Sequence, residues 1–268
     1  MYKINIPSPG FGTFRLSGES LKHSIHTAID AGFRHIDTAQ IYKNEDEVGQ
    51  AIEKSSIPRD EIFLTTKVWF DEFGREDFEQ SVKDSLSWLR TDYVDLLLIH
   101  WPSPNNAVPM EEYLQCLMNC ENKGYTRAVG VSNFTIPLLE KAFSIIGKDN
   151  IAVNQIEIHP HFQNKKLVNY CQANGIAVVG YMPLGKGQVM DDPVLQKIAK
   201  EHDTSPATIA LAWQMQQGII PIPASTDPEH IKSNLLAAEL RLSPEQMKKI
   251  AALDTGERLI DPDFAPDW

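Results

Sequence analysis

Eight short apolar or β-branched runs recur along the chain, at residues 11–14, 35–38, 62–67, 94–99, 128–131, 152–156, 177–181 and 219–222. An amphipathic stretch follows nearly every one. These helix-like stretches cover 20–31, 45–54, 76–89, 110–122, 137–146, 165–173, 194–202 with 206–216, and 228–238; a further one, 244–253, precedes an irregular tail. Strand and helix in alternation point to a parallel sheet, because each helix carries the chain back to start the next strand in the same direction. Local punctuation agrees. Ser205-Pro206 reads as an N-cap followed by the first helical residue. Ser243 and Gln246 have capping-box spacing. Gly32, Gly124 and Gly175 each end a helix-like stretch where a left-handed cap is expected.

Two architectures satisfy this alternation, a closed barrel and an open doubly wound sheet. The second would carry G-x-G-x-x-G at the turn from its first strand into a helix. Here Gly10-Phe11-Gly12-Thr13-Phe14-Arg15 lacks the third glycine and lies in or before a strand. The pattern therefore predicts an α/β fold, a (β/α)8 TIM barrel, as a single domain over residues 1–268. A barrel of this kind takes about 250 residues. No linker, repeat or low-complexity segment interrupts it.

Charge narrows the partners. With 25 Lys and Arg against 36 Asp and Glu, the formal net charge is -11, which argues against nucleic acid and anionic membranes. A local basic pocket for an anionic cofactor remains compatible with that balance. The longest apolar run, around 94–99, is too short to span a bilayer. The opening MYKINIPSPG lacks the apolar core of a leader peptide. Cys116, Cys120 and Cys171 are an odd, small set that suits reduced thiols. Cys116 and Cys120, four apart, read as two small side chains on one helix face rather than a redox or metal pair. From these features a cytoplasmic location is expected.

A barrel carries its catalytic groups at the C-terminal ends of its strands. Those ends are polar here. Asp37 closes the second strand and Tyr42 follows it; Lys67 closes the third and His100 the fourth; Ser132 and Asn133 close the fifth; Gln155 and Glu157 lie in the sixth; Tyr181 closes the seventh and Ser225 follows the eighth. Taken singly, Asp37 could be a helix cap, Lys67 a solvated lysine and His100 a satisfied core histidine. Taken together, one rim receives an acid, a base, an imidazole and a phenol. That set suits reduction of a carbonyl group, whose oxygen needs a proton when a hydride arrives at carbon. A free phenol, with a pKa of about 10, is a poor acid at neutral pH, and an ammonium beside it lowers that value. Lys67, held by Asp37, is expected to act this way on Tyr42, while His100 orients the carbonyl oxygen. A cofactor would carry the hydride.

The chain resembles the aldo-keto reductases over essentially its whole length. The matching stretches are Gly10-Phe11-Gly12-Thr13, residues 32–39 with Ile41-Tyr42 and Asn44-Glu45, Thr66-Lys67-Val68-Trp69, and residues 97–102. They continue with residues 130–134, Asn154-Gln155-Ile156-Glu157, and Tyr181 with Pro183-Leu184-Gly185. Within the family it looks most like the bacterial 2,5-diketogluconate and methylglyoxal reductases. The resemblance implies that Tyr42 is the acid, with Asp37, Lys67 and His100 around it. It implies that Ser132, Asn133 and Gln155 bind a nicotinamide carboxamide, that Tyr181 stacks on the ring, and that Leu184 and Gly185 border the pyrophosphate. Gly12, Thr13, Asp37, Ser225, Thr226, His230 and Asn234 complete the implied cofactor contacts. Phe14, Trp69 and Trp101, with Tyr42 and His100, match the family's substrate pocket.

The chain departs from the family after the eighth strand. Ala224 stands where the family has a lysine and His230 where it has an arginine, both of which grip the 2′-phosphate of NADPH. Asp227 and Glu229 add negative charge, although Lys232 is near and Ser225, Thr226 and helix N-terminal amides remain able to bind phosphate. NADPH is therefore the expected cofactor, with NADH possible at a smaller margin than usual. The short tail, 254–268, predicts a sparse pocket roof and small carbonyl substrates, and the family resemblance favours a monomer. Two other readings stay open. Glu157, His159 and His161 alternate, as does His35 with Asp37, which would suit a metal-dependent hydrolase; Pro160 interrupts the first set. Some barrels of the family act as cofactor-sensing regulatory subunits, although the complete tetrad argues for retained catalysis.

Overall fold

The computed structural model describes residues 4–268. The first three residues, which open the stretch read for a leader, lie outside the described residues. Eight parallel strands run in chain order: β1 (Phe11–Gly12), β2 (His35–Asp37), β3 (Phe63–Val68), β4 (Leu96–Ile99), β5 (Val129–Ser132), β6 (Val153–Glu157), β7 (Ala177–Tyr181) and β8 (Ile219–Pro221). The seam between β8 and β1 is tied by Gly10 N–H donating to Pro221 O at 3.0 Å and Gly12 N–H donating to Pro223 O at 2.9 Å. Gly12 fits there because a Cβ would lie 2.8 Å from Ile222 O. The strands curl into the expected (β/α)8 fold as a single domain.

The helices are α1 (Gly18–Ala31), α2 (Glu45–Glu53), α3 (Arg75–Trp88), α4 (Met110–Asn122), α5 (Ile136–Ile146), α6 (Lys165–Ala173), α7 (Gln188–Asp191), α8 (Pro193–Glu201), α9 (Pro206–Gln216), α10 (Pro228–Leu236) and α11 (Pro244–Ala251). Among the described residues none is long and apolar enough to cross a membrane. The anticipated caps form: Ser205 Oγ accepts from Thr208 N, and Ser243 with Gln246 completes a capping box. Several boundaries move. β1 is two residues long, because Thr13 turns back to bond Asp37 and Phe14 leaves the sheet. β4 begins at Leu96; Val94 makes only an isolated bridge to Thr126. β3 extends to Val68, so Lys67 lies inside the strand and does not close it. The short α7 was not foreseen, since it follows Gly185-Lys186-Gly187, which reads as loop.

Strand side chains alternate between two cores. Leu97, Ile99 and Val178 join the layer between sheet and helices, while Leu96, Leu98, Ala177 and Val179 fill the barrel interior. Burying each large aliphatic contributes about 1.5–3 kcal/mol. The same two-residue period positions the chemistry. Phe63 points inward, so Thr65 and Lys67 do too. Leu96 and Leu98 place His100 on the inner face, Val153 does so for Gln155 and Glu157, and Val179 for Tyr181.

Around the barrel the helices pack closely. Gly49 on α2 lies against the end of α3, where a Cβ would stand 2.2 Å from Trp88 O. Gly49→Ala would gain about 1 kcal/mol of helix preference. The neighbour is backbone and cannot rotate away, so overpacking of about 1–3 kcal/mol outweighs that gain. We expect Gly49→Ala to lower stability in urea unfolding, and a stabilised variant would refute this packing argument.

Candidate active site

The floor of the site is a buried ion pair. Lys67 Nζ donates to Asp37 Oδ1 at 2.6 Å and to Thr38 O at 2.7 Å, and both charged side chains are fully buried. Gln155 Nε2 donates to the other oxygen, Asp37 Oδ2, at 2.7 Å. Thr13 N–H and Oγ1 both donate to Asp37 O, at 3.0 and 3.1 Å. Asn44 then ties the loop after β1 to the loop after β2: its Nδ2 donates to Thr13 O and Leu16 O, and its Oδ1 accepts from Thr38 Oγ1.

Tyr42 ends a single 3-10 turn, Gln40–Tyr42, that follows β2. Lys67 Nζ lies 5.1 Å from the centre of its ring. The His100 ring meets it edge-on at 5.6 Å, and Phe14 leans against it at 5.0 Å. The four tetrad residues therefore converge as expected. Asp37, Tyr42 and His100 line one cavity of about 580 Å³, with Lys67 bonded beneath Asp37. Trp69 and Trp101 form its wall, and Phe14 its exposed lip.

The electrostatics differ from expectation at one point. Burial and the Asp37 charge push the Tyr42 phenol well above its ordinary value. No lowering by Lys67 offsets this, because the ammonium is paired with Asp37 Oδ1 and Thr38 O. Burial itself lowers the Lys67 pKa, opposed by Asp37. Burial, reinforced by Lys67, drops His100 well below the usual histidine range. At neutral pH the site thus holds a neutral phenol and a neutral imidazole over one internally compensated ion pair.

The implied cofactor residues separate into two groups. Gly12, Thr13, Asp37, Asn133, Gln155, Tyr181 and Leu184 line the cavity, as do Lys186, Gly187 and Ala224. Ser132 lies just beneath, with its Oγ donating to Gln155 O at 2.8 Å. Asn133 is engaged within the protein: its Nδ2 donates to His100 O and Ser132 Oγ, and its Oδ1 accepts from Tyr181 Oη at 2.8 Å. Gly185, Ser225, Thr226, His230 and Asn234 do not line the cavity. At α10 the anticipated free amides are capped, since Asp227 Oδ1 accepts from Glu229 N at 2.8 Å and His230 N at 3.2 Å. Lys232 is paired with Glu229 at 3.1 Å. A cavity lined by the Tyr181 ring, the Gln155 amide and the Lys186 cation fits a nicotinamide dinucleotide.

The roof is not sparse. The tail folds over the cavity, which Ile260, Pro262 and Phe264 line. Phe264 meets Trp69, Phe70 and Trp101 edge-on at 5.8, 5.0 and 5.4 Å. The stretch lacks regular periodicity, so its spacing gave no sign of this docking. The alternating Glu157, His159 and His161 do not form a metal set among the described residues. His159 bonds Glu157, whereas His161 turns to Asp192. Another unforeseen group is Glu45, buried at the start of α2. Its carboxyl accepts from Thr66 Oγ1 and from Ser85 Oγ, and Ser85 in turn accepts from Gln40 of the Tyr42 turn.

Comparison with known proteins identifies the family. The profile of the aldo/keto reductase family matches residues 10–255. The chain is 48% identical to the methylglyoxal reductase DkgB of Salmonella typhimurium, over 99% of this chain and 100% of that one. It is 38% identical to the glyoxal reductase of Bacillus subtilis, over 96% and 92% of the two chains. A solved structure provisionally described as a 2,5-diketo-D-gluconic acid reductase B superposes with a TM-score of 0.94 at 41% identity, covering 98% of this chain and 94% of that one. The aldose reductase of Schistosoma japonicum gives 0.92 at 29% identity, covering 98% and 95%.

Burial raises the Glu45 carboxyl from 4.5 to about 7. A folded-state value above the unfolded one means that the native protein holds this proton where the unfolded chain has lost it. The contribution is fully present below about pH 4.5 and lost as pH rises through about 7. A shift of that size corresponds to roughly 3 kcal/mol. Glu45→Gln should therefore flatten the fall in urea stability between pH 5 and 8, with its largest relative gain at pH 8; an unchanged slope would refute the assignment.

Proposed function

The chain belongs to the aldo/keto reductase family, and on that premise we propose that it reduces small aldehydes and ketones, such as methylglyoxal or 2,5-diketogluconate, to alcohols with NADPH, with Tyr42 as proton donor. The observation that carries this reading is the neutral Tyr42 phenol beside neutral His100, above the Lys67–Asp37 pair and on the floor of the cavity. A nicotinamide held in this cavity would supply the hydride that the carbonyl carbon needs. Everything else falls to the chain's own side chains. His100 orients the carbonyl oxygen through a hydrogen bond. Tyr42 keeps its proton until negative charge grows on that oxygen, then donates it from Oη. The Lys67–Asp37 pair, completed by Thr38 O, holds the floor beneath the Tyr42 ring in place while the proton leaves. Trp69, Trp101 and Phe264 keep bulk water from the reacting oxygen.

Gln155, Tyr181, Leu184 and Lys186 would hold the nicotinamide and pyrophosphate, with Ser132 and Asn133 bracing them. On this reading NADPH is preferred and NADH accepted. Asp227 occupies the amides at the start of α10, and Glu229 neutralises Lys232, which leaves the 2′-phosphate with weak support. With three free cysteines and a net charge of -11, we take the enzyme to be cytoplasmic, and monomeric as the family resemblance implies.

Tyr42→Phe should lower kcat for methylglyoxal reduction by about 10²–10⁴. Cofactor binding, followed by tryptophan fluorescence, should stay nearly unchanged. Normal turnover in that variant would overturn the mechanism. The cofactor reading is checked separately, by kcat/KM for NADPH against NADH. Asp227→Ser should shift that ratio toward NADPH by about tenfold, the size of one charge-assisted contact. A wild-type preference for NADH would refute the NADPH assignment.

A further inference from the structure

Glu157 is a buried acid at the end of β6 that the proposed chemistry does not use. Its Oε1 accepts from Leu259 N at 2.8 Å, and its Oε2 accepts from Ile260 N at 2.8 Å. His159 Nε2 lies 3.0 Å from Oε1 and braces the carboxylate from behind. Two main-chain N–H groups on one buried carboxylate make charge-assisted bonds, stronger than ordinary backbone pairs. They fall on a segment with no regular secondary structure of its own after α11.

The segment has further ties, one of them on Leu259 itself. At its root Thr255 N and Oγ1 both donate to His161 O, at 2.9 and 3.0 Å. Lys186 Nζ donates to Leu259 O at 3.1 Å. At its tip Phe264 rests on Trp69, Phe70 and Trp101. Between root and tip, Ile260 and Pro262 face the cavity. The carboxylate therefore grips the segment where it turns over the reacting groups.

The strand that carries the grip is the one that braces the floor. Gln155 bonds Asp37 at 2.7 Å, and Glu157 stands two residues further along the same inward face. Side chains so placed are separated by about 6–7 Å along a strand. One rigid element thus fixes both the ion pair below and the strap above.

We propose that Glu157 is a positioning residue for substrate selection: by holding Leu259 and Ile260 it sets where Ile260, Pro262 and Phe264 stand over Tyr42, and so restricts the pocket to small carbonyl compounds. The proposal rests on the carbonyl-reductase reading above. It assigns the acid that ends β6, and the histidine two residues beyond it, to pocket shape instead of metal binding.

Two variants separate the possibilities. Glu157→Gln replaces one acceptor oxygen by an amide that cannot accept. Leu259→Pro removes one donor from the strap and leaves the buried carboxylate in place, so it serves if Glu157→Gln does not fold. Hydrogen–deuterium exchange reads the strap directly, and steady-state kinetics with NADPH compare methylglyoxal with a bulky aromatic ketone. In the folded variant, exchange over residues 258–264 should accelerate about tenfold or more, the size expected for a lost hydrogen bond to a charged group. KM for methylglyoxal should rise by a similar factor with kcat changed less, and the bulky-to-small ratio of kcat/KM should increase. Phe264→Ala should raise the same ratio, and combining it with Glu157→Gln or Leu259→Pro should add little, because both act through one strap. Faster exchange with an unchanged ratio would overturn the proposal, as would exchange like wild type. A wild-type protein that reduces neither carbonyl would instead remove the reading on which it rests, while exchange would still report the clamp.

Discussion

The bond between Lys67 Nζ and Asp37 Oδ1 puts two charges where solvent does not reach them. Stripping either of water costs several kcal/mol, and attraction between them repays this only when every remaining polar site is also bonded. That requirement organises the barrel mouth. Thr38 O takes a second ammonium proton and Gln155 Nε2 covers the second carboxylate oxygen. The pair therefore locks β2, β3 and β6 into one spatial arrangement, across 118 residues of sequence between Asp37 and Gln155. Everything at the rim inherits its position from this arrangement. Tyr42 stands over the ammonium, and Asn133, which braces Gln155 through Ser132, also carries the Tyr181 hydroxyl.

How much of this could be read from residues alone depends on which physical rule was at work. Inside the strands the period of two is rigid, so Phe63, Leu96, Val153 and Val179 announce that Lys67, His100, Gln155 and Tyr181 point inward. Fold class and floor were legible for that reason. Boundaries were less so. Apolar character runs past the hydrogen-bonded ladder, as at Val94, and strand register extended β3 by one residue past Lys67. The loops obey no period. The 3-10 turn that delivers Tyr42 is fixed by Gln40, whose Oε1 accepts from Trp69 N at 2.9 Å while its Nε2 reaches Ser81 and Ser85. Nothing in the spacing of Gln40 reveals those partners.

The tail and the phenol were misread for related reasons. Length alone made residues 254–268 look too short to cover a pocket. A strap needs few residues when a buried carboxylate takes its backbone N–H groups and one aromatic closes on a waiting cluster. For Tyr42, the rule that an ammonium lowers a neighbouring phenol is sound, but it presumes that the ammonium's charge is free to act. Here Asp37 cancels it, and desolvation then dominates. The phenol therefore keeps its proton at neutral pH.

The start of α10, outside the cavity lining, shows a local bond occupying a natural ligand site. The N-terminus of α10 is a natural anion site, since its first amides have no partner within the helix. Asp227 already supplies that anion from the chain itself, accepting from Glu229 N and His230 N, and those contacts hold its own carboxyl below the usual range. An incoming phosphate would have to displace a carboxylate that costs nothing in translational entropy to keep bound. With Ala224 offering no charge and Lys232 facing Glu229, the helix favours its own cap. The floor and the start of α10 thus both rest on charges compensated inside the protein.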